Sequence, residues 1–356
     1  MLRYLTAGES HGPQLTAILD GMPAGLLLTE EMINQDLARR QLSLGAGGRM
    51  KIETDRVQIT SGVMGGKTTG APIAFQITNA DHANWKGKEI PAYTIPRPGH
   101  ADLSAILKYG YEDIRPALER ASARESAVRV AVGATCRVFL AHFGIHINGQ
   151  VIQIGSEPDP AKFAHVIEAA RMEGETLGGI IEVTVDHLPV GLGSYVQGDR
   201  RLDARLAQAM MSIPAIKGIE IGDAFANAAL PGTQVHDAIN KDFSRDTNNC
   251  GGIEGGMSNG EPIVIYLAMK PIPTTLKHQH SVDLVTDKTS ETKYERSDVC
   301  PVPRAVVVAE AAAAYVLADA LLEKLGGDSL SEMVPRFEQI KNAKPHVTGK
   351  PHIFWA

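Results

Sequence analysis

The chain has 356 residues, 44% of them hydrophobic and 5% aromatic, with 35 glycines and a formal net charge of −6. Such a length and apolar content support a large core built mainly from Ala, Val, Ile and Leu, whereas a net negative charge excludes a generic nucleic-acid or membrane-surface binder, which needs a basic excess. Cys136, Cys250 and Cys300 are widely spaced, with no CxxC and no metal-type spacing to histidine; they read as buried thiols of a reducing compartment, and no metal is expected.

Residues 1–7 lack the apolar run of a signal peptide, and no apolar stretch elsewhere is expected to span a bilayer, so the expected location is cytoplasmic. The first chemical signal is His11 in Gly8-Glu9-Ser10-His11-Gly12. Glycines on both sides let the backbone approach a ligand and expose an imidazole that titrates near neutral pH; the plain alternative is a turn histidine satisfied by a carbonyl. A helix follows over residues 29–40, with Thr29 as its cap and Glu30 and Glu31 at its positive end. Arg39, Arg40 and Arg49 then flank a glycine-rich loop, Leu44-Gly45-Ala46-Gly47-Gly48. Strands are expected over 56–60 and 73–78. Beyond them His100 sits in Arg97-Pro98-Gly99-His100-Ala101-Asp102, a second glycine-flanked turn.

A long helix is expected over 119–143, rich in small residues that allow close packing on several faces. Within it Arg120 and Arg124 are one turn apart and share a face, a fork for phosphate or carboxylate with Ser122 and Ser126 beside it. Read alone, the same arginines form a solvated face paired with Glu119 and Glu125. Strands over 180–185 and 263–269 and a helix over 200–211 follow. Near the end, the loop from Glu295 to Pro303 can present Arg296 and Asp298 to a ligand, or Asp298 can cap the Ala-rich helix expected over 304–325.

Two pairs of segments match with unchanged spacing. Gly62-Val63-Met64-Gly65-Gly66 and Gly70-Ala71-Pro72-Ile73 match Gly252-Ile253-Glu254-Gly255-Gly256 and Gly260-Glu261-Pro262-Ile263. Upstream, Asp20-Gly21-Met22-Pro23-Ala24-Gly25-Leu26 matches Asp186-His187-Leu188-Pro189-Val190-Gly191-Leu192, each before an Arg-bearing helix. This order of elements predicts an internal duplication. The expected fold is α+β, one large domain over 1–356 whose halves, about 1–150 and 151–325, are related by a pseudo-two-fold. A helical layer lies between antiparallel β-sheets, and 326–356 form a C-terminal tail.

The two histidine motifs, Asp20-Gly21-Met22-Pro23, Arg120-Ala121-Ser122-Ala123-Arg124-Glu125-Ser126, and Arg296-Ser297-Asp298 with Arg304-Ala305 together resemble, in sequence and order, the signature segments of the chorismate synthase family. The resemblance spans nearly the whole chain. It implies loss of phosphate from C3 and a proton from C6 of 5-enolpyruvylshikimate 3-phosphate, giving chorismate. This is an anti-1,4-elimination, with reduced FMN lending electron density transiently and no net redox change. It further implies that His11 protonates the departing phosphate, His100 supports the anionic reduced flavin, and Asp298 assists proton removal through flavin N5. Ser10, Arg40, Arg49, Arg97, Arg124 and Arg296 match substrate-holding positions. Flavin contacts are implied for Arg120, Ala121, Ser122, Pro214, Ala215, Gly255 and Arg296, and for Lys270, Pro271, Ile272, Pro273 and Thr274. The resemblance also implies a homotetramer.

One departure concerns the glycine-rich loop, where the family carries arginine and this chain has Ala46. A catalytically inactive anion- or flavin-binding homologue is the alternative; it predicts replacement of His11, His100 or Asp298, and none is replaced. A serine hydrolase built on Ser10 lacks any nucleophile elbow. Whether NADPH reduces the flavin on this chain or an outside reductant does so is left open by the sequence, and the absence of a Rossmann fingerprint favours the latter.

Overall fold

A computed structural model describes residues 1–41, 44–45, 54–293 and 298–349. Alternating apolar residues fold the first part into four antiparallel strands, β1 (Arg3–Ala7), β2 (Gln14–Asp20), β3 (Val57–Ser61) and β4 (Ile73–Thr78), in the order β1-β2-β4-β3. Register pairs Leu15 with Ile77, Ala17 with Phe75 and Leu19 with Ile73. All six are buried on one face, as a period of two requires. A second sheet repeats this plan with β5 (His146–Ile154), β6 (Gly179–Asp186), β7 (Ile216–Ile221) and β8 (Ile263–Met269), in the order β5-β6-β8-β7. Its inner face carries Ile181, Val183 and Val185 opposite Leu267, Ile265 and Ile263.

The duplication extends to backbone detail. The glycine pairs adopt φ of 83° and 79° (Gly62, Gly252), 58° and 58° (Gly65, Gly255), 75° and 80° (Gly66, Gly256), and 84° and 98° (Gly70, Gly260). These are left-handed turns that side chains disfavour, so glycine spacing recorded the fold. Thr68 Oγ1 donates to the Pro23 carbonyl (2.6 Å) and accepts from the Leu26 amide (3.0 Å). Its counterpart Ser258 Oγ donates to the Pro189 carbonyl (2.7 Å) and accepts from the Leu192 amide (2.9 Å). The second copy opens with β5, whose first residue is His146, before the expected boundary at 150.

Between the sheets lie α1 (Glu30–Gln41) and α4 (Ser126–His142), with α6 (Leu202–Met211) and α7 (Val302–Leu325) as their pseudo-symmetric mates. The Thr29 cap forms, Oγ1 accepting from the Met32 amide at 3.4 Å. Helix α4 packs on the first sheet, α7 on the second, and the two on each other. At their crossing a Cβ on Gly133 would lie 2.2 Å from the Ala311 Cβ, so only glycine permits that approach. Helix α7 overturns one expectation: its 24 residues, mean hydropathy 1.9, are long and apolar enough to cross a membrane. Here 83% of that apolar window is buried within the fold, and a helix covered on all faces needs no polar side. The expected tail also contains structure, α8 (Leu330–Lys341), which buries Leu330, Met333 and Phe337.

The long helix expected over 119–143 is broken. Helices α2 (Asp102–Tyr109) and α3 (Arg115–Arg120) precede the break, and Ser122 is extended, with ψ 140°. Its Oγ accepts from the Arg124 amide (3.3 Å) and caps a 3₁₀ turn, Ala123–Glu125, before α4 begins. A serine side chain that bonds the backbone locally competes with helix continuation. A further helix, α5 (Phe163–Glu173), covers the edge beside β5. Cys136 and Cys300 are buried, but Cys250 is only partly so, because it lies in a loop beside Asp237 and Glu254.

Candidate active site

The broken helix, the two histidine turns and the loops leading into α4 and α7 enclose a cavity of about 550 Å³. That is the size range of small-ligand and cofactor sites. His11, His100 and Asp298 all line it, with Ser10, Arg40, Arg97 and Arg124. Ala121, Ser122, Pro214, Ala215, Lys270, Ile272, Pro273 and Thr274 form much of the rest of its wall with Trp85, Leu118 and Arg304. His11, His100 and Asp298 lie far apart in the sequence, and the pseudo-symmetric framework brings both halves to one cleft.

Cations are organised by carboxylates beneath the surface. Asp55, fully buried, binds Arg124 Nη1 at 2.5 Å through Oδ1 and Arg40 Nη1 at 3.1 Å through Oδ2. Burial lowers the Arg40 guanidinium to about 10 against the opposing pull of Asp55, so it stays charged near neutral pH. Arg124 Nε donates to Asn79 Oδ1 (2.8 Å), and Asn79 Nδ2 donates to the Gly12 carbonyl (2.8 Å), tying this cation to the His11 turn. Arg97 grips Asp102 through Nε (2.8 Å) and Nη2 (3.0 Å), and Asp102 also meets His100 Nδ1 at 2.5 Å. Burial raises the Asp102 carboxyl, but the bonds from His100 and Arg97 outweigh it and hold it well below the usual carboxylate range.

His11 has its own carboxylate. Its Nδ1 lies 2.7 Å from Glu119 Oε1, and its ring stacks on Trp85 with centroids 4.0 Å apart and planes 27° apart. Burial raises Glu119, yet hydrogen bonds from the His11 ring and amide leave it below its ordinary value. Asp298 pairs with Arg304 Nη1 at 2.8 Å, at the first turn of α7. The opposite wall is apolar and small, and it is fastened by Lys270, whose Nζ donates to the Gly99 carbonyl (2.5 Å) and whose amide donates to Ala215 (3.0 Å). Ala215 holds φ 69°, an unusual conformation for a residue with a Cβ.

A family model for chorismate synthase matches residues 2–322. The chain belongs to the chorismate synthase family. The chorismate synthase of Caldanaerobacter subterraneus subsp. tengcongensis is 53% identical over 341 residues, covering 95% of this chain and 97% of that one. That of Geobacter sulfurreducens is 52% identical over 384 residues, covering 95% and 98%. A crystal structure of chorismate synthase superposes with TM-score 0.78 at 44% identity, covering 96% of this chain and 97% of the other. The protein is therefore an enzyme of chorismate formation, a lyase of aromatic biosynthesis.

Not every expected residue reaches the cavity. Arg120 turns away at the break after α3, its Nη2 donating to Thr6 Oγ1 (2.9 Å) and its Nη1 3.7 Å from Glu125, so the expected Arg120–Arg124 fork does not form. Gly255 is a hairpin tip outside the cavity wall; its neighbour Gly256 packs on Arg201, which fixes the hairpin against α6. Pro271 lies between two lining residues without lining the cavity itself. Arg49, Arg296 and Ala46 fall outside the described residues. Conversely, sequence reasoning missed Asp55, Trp85 and Glu119 as site residues. Trp85, one of two tryptophans in the chain, was the only signal with any rarity.

Proposed function

We propose that the substrate is 5-enolpyruvylshikimate 3-phosphate and that the reaction is the anti-1,4-elimination of its phosphate to give chorismate, without net redox change. One observation carries this reading: His11, His100 and Asp298 share a single cavity with four arginines and a lysine. A phosphate and two carboxylates on a small ring need that density of cations, which act most strongly where water is excluded.

The cavity suits a flavin as well. A wall of Ala121, Pro214, Ala215, Ile272 and Pro273 offers flat apolar surface, and Ser122, Lys270 and Thr274 supply polar atoms along it. Reduced FMN, when bound, would lend and recover the electron density that lets phosphate leave. The chain does the rest. Ser10, Arg40, Arg97 and Arg124 bind and orient the anionic substrate; Arg49 and Arg296 join them on the family pattern. His11 donates a proton to the departing phosphate oxygen, a general-acid role suited to imidazole at neutral pH. His100 supplies positive charge or a proton beside the anionic reduced cofactor, and Asp298, positioned by Arg304, serves proton removal. An outside reductant, rather than NADPH bound to this chain, supplies the electrons that prepare the cofactor. The enzyme works as a cytoplasmic homotetramer, independent of nucleic acid and membrane.

An anaerobic assay with photoreduced FMN and 5-enolpyruvylshikimate 3-phosphate, followed by chorismate absorbance, tests the reading. Turnover without NADPH is expected. Inactivity with both ligands demonstrably bound overturns it.

A further inference from the structure

The two cavity histidines each present Nδ1 to a carboxylate, but the carboxylates are not equivalent. Asp102 shares its charge between His100 and a bidentate Arg97. Glu119 directs both oxygens at one residue. Oε1 meets His11 Nδ1 at 2.7 Å, and Oε2 accepts from the His11 amide at 2.8 Å. Its backbone carbonyl also accepts from the Ser10 amide at 3.2 Å. Three contacts from one residue therefore hold the turn that carries His11, across 108 positions of sequence. The carboxylate is enclosed, its side chain 12% exposed beside an imidazole 17% exposed, where such bonds are short and strong.

We propose that Glu119 is the positioning residue of His11: its oxygen accepts a hydrogen bond from the ring's Nδ1–H, which turns Nε2 to the proton-transfer task and stabilises the ring in its charged form. The inference rests on the reading of His11 as the proton donor. Trp85 completes the arrangement by covering one face of the ring. Other ionisable groups face the same turn: Asp81, 3.9 Å from Nε2, His82, whose Nδ1 meets the His11 carbonyl at 2.9 Å, Glu9, and Arg115, whose guanidinium lies 5.7 Å from the Trp85 ring. All of them persist in a Glu119 variant, so a change there reports the Glu119 charge.

Glu119→Gln separates the possibilities. An amide keeps one acceptor but sets an NH₂ group against either the His11 amide or Nδ1; in the latter orientation the ring must adopt the other tautomer. Solid-state ¹⁵N spectra of histidine-labelled full-length enzyme, with His11 identified by subtraction of His11→Asn, are expected to show Nδ1–H in the wild type and a mixed tautomer in Glu119→Gln. Turnover should fall about 10- to 100-fold with KM changed far less, the usual cost of losing an orienting partner. The alkaline fall of kcat should begin about one pH unit lower, because a lost negative charge lets the ring release its proton sooner. An unchanged tautomer with unchanged kcat overturns the proposal. So does a lowered melting temperature with normal kcat per folded molecule and an unmoved pH profile. If His11→Asn itself retains wild-type kcat, the reading of His11 as acid fails, whereas the ¹⁵N spectra still judge the grip of Glu119 on its own.

Discussion

Removing the charge of Asp55 should unsettle the site from beneath. Asp55→Asn keeps the shape of the side chain, but an amide can accept from only one of the two guanidiniums and turns its NH₂ toward the other. Arg40 and Arg124, 1% and 3% exposed at the side chain, then lose their shared counter-charge. Breaking a buried ion pair from one side costs about 3–5 kcal/mol. The lower end applies here, since Arg40 keeps Ser126 Oγ (3.2 Å) and Arg124 keeps Asn79 Oδ1 (2.8 Å). At roughly 2–4 °C per kcal/mol for a large chain, the melting temperature should fall by about 6–12 °C. Because both arginines line the cavity, an anion there replaces the lost charge. Inorganic phosphate should therefore raise the melting temperature of Asp55→Asn more than that of the wild type, in thermal scans at matched ionic strength. A variant that melts like the wild type, or gains no more from phosphate than the wild type does, refutes the idea that Asp55 balances a cationic anion site.

His11→Ala is expected to lower turnover by about 10²- to 10⁴-fold while leaving substrate affinity nearly intact; single-turnover rates that stay normal while affinity drops would reduce His11 to a binding residue. Gly133→Val places a branched side chain where even a Cβ would lie 2.2 Å from the Ala311 Cβ, and a destabilisation of about 1–3 kcal/mol or more follows. A melting temperature equal to wild type shows that α4 and α7 can slide apart freely. Burial raises the Asp237 carboxyl, but bonds from Thr247, Asn249 and Cys250 bring it down to about 2 from 3.8. A value lower in the folded state means stability that is complete above pH ~4 and lost as pH falls through about 2. Asp237→Asn should thus melt earlier at pH 7 and match the wild type near pH 2, and an equal deficit at both pH values counts against that linkage.

Local rules made the framework legible. Period-two alternation marked Ile73–Thr78 and Ile263–Met269 with their observed limits, and glycine spacing exposed the duplication because each left-handed turn nearly demands that residue. The site was legible where chemistry gathers in short motifs: Ser10 with His11, and Arg97 with His100, all reach the cavity. What failed depended on tertiary context. Ser122 lies in a stretch of good helix formers, but its Oγ donates to Ser10 Oγ across the site (3.2 Å) while accepting from the Arg124 amide, and the helix breaks there with Arg120 turned outward. Asp55 belongs to no motif; its importance arises from two arginines at separations of 15 and 69 residues. Gly255 matched a sequence pattern, but the repeated hairpin serves the framework and stands away from the cavity wall.

Helix α7 has a consequence for how the chain is made. Ribosomes release the N-terminus first, at about 5–20 residues per second, so on the order of tens of seconds pass before Val302–Leu325 emerges. Until then both sheets are complete in sequence but lack the helix that joins them, and Arg39 and Arg137 wait for Glu310, their partner at 2.7 and 3.3 Å. The nascent protein must hold two unsealed apolar faces, and a premature stop anywhere before α7 leaves both halves without their common centre.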